Sequence, residues 1–129
     1  VAARKLLARE VVFDRVGGEL STVSTRHSIQ VGENQHVSLD SDMSLTNHSC
    51  APNCEVKIFN NGGGSPGQPC VSLVVRVAEI PEGEMITIDY NAMEVDISNP
   101  FDCLCGATNC RGRITGFSKL AREIQAEYF

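Results

Sequence analysis

Asn47-His48-Ser49-Cys50-Ala51-Pro52-Asn53-Cys54 is a polar run that closes on Pro-Asn, and its reading decides the fold. Proline lacks a backbone donor and fixes φ, so the run is neither helix interior nor central strand. It is a loop whose amide, imidazole and thiol groups are free to point at something. Outward from it, short strand patterns recur. Upstream these are Glu10 to Val16, ended by Gly17-Gly18, then Ser28 to Val31 and Gln35 to Leu39, divided by the turn signal Gly32-Glu33-Asn34. Downstream, Glu55 to Phe59 alternates polar and apolar residues as a half-buried strand does. Asn60 to Pro69 reads as a surface loop into the β-branched strand Val71 to Val77. Ile80 to Glu84 is a tight turn into a strand from Met85 to Tyr90. Ala2 to Leu7 reads as a helical turn or a lead-in strand. Ser118 to Tyr128 reads as a closing helix with Leu120, Ala121 and Ile124 on one face. The pattern predicts a mostly β chain of many short strands.

Two further stretches carry chemistry. Cys103-Leu104-Cys105-Gly106-Ala107-Thr108-Asn109-Cys110 places three thiols within eight residues. Cysteines one residue apart cannot readily bridge each other, and such crowding suits a shared metal ion. A tetrahedral Zn²⁺ needs a fourth ligand, for which Cys50, Cys54 and Cys70 are the sulfur candidates and His48 a weaker one. Gly106 lets the backbone turn sharply between ligands. The other stretch, Gly83-Glu84-Met85-Ile86-Thr87-Ile88-Asp89-Tyr90, is an apolar strand that delivers a tyrosine to its end.

The 129 residues fit one domain, and 42% hydrophobic content suffices for a packed core. Net charge is −5, which disfavours binding to a phosphate backbone and suits a cationic partner. No apolar run approaches the roughly 20 residues needed to cross a bilayer, and no leader pattern is expected, so no membrane association is predicted.

In order and spacing, the three stretches resemble the SET-domain lysine methyltransferases. That family pairs an NHSCxPN loop with a downstream GE-x-(I/L)-T-x-DY strand, here Asn47 to Asn53 and Gly83 to Tyr90. Cys103 to Gly112 resembles the family's post-SET segment, CxCGxxxCxG. The resemblance implies small curved β-sheets around a pseudoknot, with a SET domain over residues 1–98 and a zinc-binding post-SET segment and helix over 99–129. It implies that Asn47, His48 and Tyr90 contact S-adenosylmethionine, with Leu104 against its adenine and Phe101 walling the same region. It implies Tyr90 as the active-site tyrosine, and Cys50 joining Cys103, Cys105 and Cys110 around one structural zinc. Cys54 and Cys70 receive no role. The whole reading requires the Cys50 sulfur to lie beside the terminal three.

The implied reaction is methyl transfer to a lysine of a basic protein, most commonly a histone tail, in a nuclear and monomeric protein. The rival reading is a non-catalytic module that binds peptide or protein. Three features depart from the family pattern. The glycine-rich cofactor segment is absent, and Val1-Ala2-Ala3 resembles the residues immediately after it, so the chain is expected to begin just downstream of those glycines. His27 stands where members often carry a tyrosine, and Ile88 where they carry Phe or Tyr. Asp89 is expected to be structural rather than a base.

Overall fold

The computed structural model describes residues 1–39, 42–59 and 69–128. Apart from Pro69, the expected loop at residues 60–69 lies outside them.

The core rests on a three-stranded antiparallel sheet. Its strands are β2 (Val11–Val16), β7 (Cys54–Phe59) and β8 (Cys70–Val75), in the order β2-β8-β7. Strand β8 is central and apolar along nearly its whole length, so both its faces are covered, and Val71, Leu73 and Val75 are fully buried. In the β7–β8 ladder Cys54 faces Val75, while Cys70 faces Phe59 at the other end. The two core thiols therefore cannot bridge, and both are buried as free cysteines.

A second antiparallel sheet contains β3 (Leu20–Ser21), β4 (Ser28–Gly32) and β5 (Gln35–Ser38), in the order β3-β5-β4. The turn between β4 and β5 carries Asn34 at φ 52°, a left-handed position that asparagine tolerates. Strand β1 (Leu6–Leu7) pairs with β9 (Glu79–Ile80), which selects the strand reading for that segment. Ile29, Val37, Met43, Leu73, Ile80 and Ile88 bring these sheets into one apolar core.

The site is positioned by a parallel pair. Strand β6 (Asn47–His48) lies beside β10 (Thr87–Ile88), with Asn47 against Thr87 and His48 against Ile88. The strand expected over Met85 to Tyr90 is thus shorter, for reasons visible at each end. On one side the Asn53 amide takes the place of a backbone partner, donating to the Met85 carbonyl at 2.8 Å and accepting from Thr87 N–H at 2.9 Å. On the other, Asp89 Oδ1 accepts from Asn91 N–H at 2.9 Å and caps a 3₁₀ turn, Tyr90–Ala92.

The C-terminal part returns to this place. Strands β11 (Phe101–Asp102) and β12 (Arg113–Ile114) pair and bracket the cysteine loop. Beyond them Gly116 N–H donates to Asn91 Oδ1 at 3.0 Å, Phe117 N–H to the Glu94 carbonyl at 2.9 Å, and Ser118 N–H to the Val95 carbonyl at 3.0 Å. The end of the chain is laid along the segment that succeeds Tyr90. Gly116 sits at φ 118°, and a Cβ there would stand 2.4 Å from the Val95 carbonyl oxygen. Gly116→Ala is therefore expected to cost roughly 2–4 kcal/mol from backbone strain and forced contact. Urea unfolding measures this; a loss below about 0.5 kcal/mol, the range of neutral surface changes, refutes the close approach.

The closing helix is shorter than the pattern suggests. A 3₁₀ turn spans Phe117–Lys119 and α1 spans Arg122–Ala126, with Leu120 and Ala121 extended between them. Gln125 Nε2 donates to the carbonyls of Phe117 and Leu120, so a side chain holds the break open. Among the described residues, no helix is long and apolar enough to cross a membrane.

Candidate functional site

Strands β6 and β10 end in a cleft of about 950 Å³, a size that takes a small-molecule ligand. Its wall carries three rings. His48 lies 5.2 Å from Tyr90 and 5.7 Å from Phe101, and Tyr90 lies 5.8 Å from Phe101, the two phenylalanine contacts being edge-on. Such edge-to-face contacts are favourable and fix the rings against one another. Asn47 is exposed at the same wall, its amide donating weakly to Met85 Sδ at 3.3 Å. Leu104 also lines the cleft and is 95% exposed, an apolar side chain held out at the mouth.

The Tyr90 hydroxyl donates to the Thr46 carbonyl at 2.5 Å. Its single proton is thereby committed, and the oxygen lone pairs remain to accept from whatever enters. Burial raises the Tyr90 pKa, opposed by the positive charge of Arg26, another residue of the cleft. Tyr90 is thus a neutral phenol near pH 7, an acceptor and not a base. Asp89 has both oxygens engaged, Oδ1 by Asn91 N–H and Oδ2 by the Tyr128 hydroxyl at 2.5 Å. This is the structural role expected of it.

The His48 imidazole is used at both nitrogens. Tyr90 N–H donates to Nδ1 at 3.0 Å, and Nε2 lies 3.3 Å from Cys50 Sγ. Burial lowers the His48 pKa, with Asp89 opposing. The Cys50 sulfur also accepts from Arg111 N–H at 3.2 Å, and the Asn109 amide donates to the Cys50 carbonyl at 2.9 Å. Through these bonds the cysteine loop is drawn onto the loop at the end of β6.

As a result Cys50, Cys103, Cys105 and Cys110 present sulfurs that all lie within 4.8 Å of one another, a group that could hold a metal ion. Cys50 and Cys103 are 3.9 Å apart, close to the ~3.8 Å edge of a tetrahedron built on 2.3 Å metal–sulfur bonds. The loop is shaped for this: Cys103 N–H donates to the Gly112 carbonyl at its base, and Gly106 adopts φ 75°, open to glycine at no steric cost. Of the fourth-ligand candidates, Cys50 is the one brought to the trio. Cys54 is buried in the β7 core with its thiol pushed up to about 11 by burial, and Cys70 lies in β8. His27 is exposed and Ile88 buried, both lining the cleft.

One residue of the wall, Glu94, has no motif to announce it. Glu94, four residues after Tyr90, is only 8% exposed, and its Oε2 lies 3.3 Å from His36 Nδ1 on β5. Burial pushes its carboxyl from 4.5 up to about 7, partly offset by hydrogen bonding at Gln30. A carboxyl whose folded pKa is raised stabilises the fold below about 4.5 and loses that contribution as pH climbs through 7. Glu94→Gln, a neutral isostere, should therefore raise the urea midpoint at pH 8 relative to the parent and leave the two alike at pH 4.5. Equal midpoints at both values would remove the case for a raised carboxyl.

Comparison with known proteins places this geometry. The model of the SET domain family matches residues 4–91. Methyltransferase flvH of Aspergillus flavus is 30% identical over 108 residues, covering 81% of this chain and 54% of that protein. Histone-lysine N-methyltransferase ash1 of Drosophila melanogaster is 36% identical over 90 residues, 68% of this chain and 4% of that protein. The H3 lysine-4 specific histone-lysine N-methyltransferase of Saccharomyces cerevisiae is 37% identical over 67 residues, 51% and 6%. The chain spans about half the length of the first and a small fraction of the others.

Proposed function

The chain belongs to the SET domain family, and on that premise we propose that it carries the catalytic centre of an S-adenosylmethionine-dependent protein-lysine N-methyltransferase. Residues 1–98 form the SET portion and 99–129 the post-SET portion. One zinc is held by Cys50, Cys103, Cys105 and Cys110, leaving no coordination position for substrate, so the ion is structural. The observation that carries the reading is that a single stretch, Asn47 to Cys50, supplies both a ring of the cleft wall and a sulfur of the cluster.

When bound, S-adenosylmethionine supplies a methyl group activated on a sulfonium. Asn47, His48, Phe101 and Leu104 form its binding wall, and the exposed Leu104 is supplied with an apolar partner there. Tyr90 contributes a hydroxyl oxygen that accepts from the incoming amine or the polarised methyl. A lysine has an ordinary pKa of about 10.4 and must lose a proton before it attacks; burial among apolar groups such as Ile88 disfavours its ammonium form. What remains for the protein is alignment.

The substrate is a lysine in a basic protein segment, for which the acidic chain, pI near 5.1, is a suitable partner. Histone tails are the leading candidates, since ash1 and the yeast relative are named for histone-lysine methylation, and a nuclear, chromatin-associated role goes with that. The test is transfer of labelled methyl from S-adenosylmethionine to core histones and to basic peptides, beside calorimetric titration with cofactor. Transfer to lysine supports the proposal. Peptide binding with neither cofactor binding nor transfer selects the non-catalytic module, a reading favoured by the exposed His27 at the position where a second tyrosine is usual.

A further inference from the structure

We infer that the His48 side chain is a positioning residue that ties the Cys50 sulfur to the backbone of Tyr90, so that an ion held by the cysteines also fixes where the Tyr90 ring stands. The inference rests on reading the four sulfurs as a metal site.

The argument is one of donors and acceptors. Tyr90 N–H points at Nδ1 from 3.0 Å, so Nδ1 must offer its lone pair. In a neutral imidazole the proton then sits on Nε2, and Nε2 faces Cys50 Sγ at 3.3 Å. The other charged group near the ring, Asp89, has its Oδ1 3.9 Å from Nδ1, too far for a hydrogen bond. The ring cannot simply turn over, because Tyr90 and Phe101 pack against it and its side chain is 3% exposed. A histidine that holds one partner at each nitrogen converts the position of the sulfur into the position of the amide. Outer hydrogen bonds of this kind orient metal ligands and tune them.

This changes what His48 can do in the cleft. With both nitrogens engaged, neither is left for the cofactor or the lysine, and only its ring face and backbone can touch them. Its removal should thus lower the rate through Tyr90, in addition to whatever affinity for S-adenosylmethionine is lost with the ring face.

The first experiment uses the unmodified protein loaded with cadmium-113 and labelled with nitrogen-15 at histidine. The expected result is a proton on His48 Nε2 that is scalar-coupled to the metal through the sulfur. A proton on Nδ1 overturns the link. Failure to take up any metal instead overturns the metal-site reading itself, so the two failures are distinct.

The second uses paired variants, reconstituted with cobalt. His48→Asn keeps an acceptor near Nδ1 and deletes the donor to sulfur, so the thiolate-to-cobalt charge-transfer band should move to lower energy. His48→Gln keeps a donor near Nε2 and displaces the acceptor, so the band should stay while kcat at saturating S-adenosylmethionine falls by about tenfold or more, the sign of lost transition-state alignment. An unchanged kcat in His48→Gln, or an unmoved band in His48→Asn, overturns the proposal. Should either variant fail to fold, the tautomer measurement decides alone.

Discussion

Tyr90→Phe is expected to slow methyl transfer by roughly 10²–10³-fold, the usual consequence of deleting one preorganised polar contact to a transition state. The ring would stay where it is, since its contacts with His48 and Phe101 involve only carbon faces and edges. Its backbone N–H would still reach His48 Nδ1. What disappears is the hydroxyl, whose proton is committed to the Thr46 carbonyl and whose oxygen is therefore an acceptor toward the cleft. The stability change should be small, about 0.5–1.5 kcal/mol for one hydrogen bond. Because the Tyr90 pKa is raised by burial, the parent enzyme should show no activity limb from this group near neutrality. Single-turnover rates and urea unfolding, measured side by side, check both halves. Full parental rate in the variant would remove Tyr90 from the catalytic machinery.

That expectation rests on the resemblance of Asn47 to Asn53 and Gly83 to Tyr90 to the family pattern, since the residues alone give only the groups and not their roles. Thiols at CxCx4C spacing and a tyrosine at the end of an apolar strand announce themselves wherever the fold takes them. The strands β2, β4, β5, β7 and β8 were equally legible, since a half-buried pleat imposes alternation and a covered one imposes a β-branched run. What escaped is whatever depends on one side chain meeting another far along the chain. The Asn53 amide standing in for a strand partner of Met85 and Thr87 cannot be read from Pro-Asn. Nor can the Gln125 amide that breaks the closing helix, or the Tyr128 hydroxyl that comes to rest on Asp89. His36 and Glu94 meet only because β5 is packed against the segment after Tyr90. A lone glutamate in Met93-Glu94-Val95 was the sole hint, and apolar flanks do not say what it faces.

The site itself divides the same way. The residues alone offered three sulfurs and a weaker histidine as fourth ligand; the resemblance implied Cys50, and the structure brings its sulfur to the other three. Cys50→Ser should lower zinc affinity by more than about 100-fold, because loss of even an outer-shell partner costs about 10–100-fold and here a ligand itself is removed. Cys105→Ser should match it. Cys54→Ser should keep close to one zinc per chain, since that thiol lies in the β7–β8 ladder opposite Val75, away from the cluster. The consequences of losing Cys50 extend past the ion. Its sulfur also receives Arg111 N–H, and its loop is held by the Asn109 amide at the Cys50 carbonyl. Without the sulfur, the loop from Cys103 to Gly112 keeps its closing pair, Phe101 with Ile114, but loses part of what draws it onto β6. The cleft wall at Phe101 and Leu104 belongs to that same loop and its base, so cofactor affinity should fall together with zinc. Zinc by mass spectrometry and cofactor by calorimetry, on the three variants, give the readout. Full zinc in Cys50→Ser with depleted zinc in Cys54→Ser would reverse the ligand assignment and, with it, the link between metal and methyl-transfer cleft.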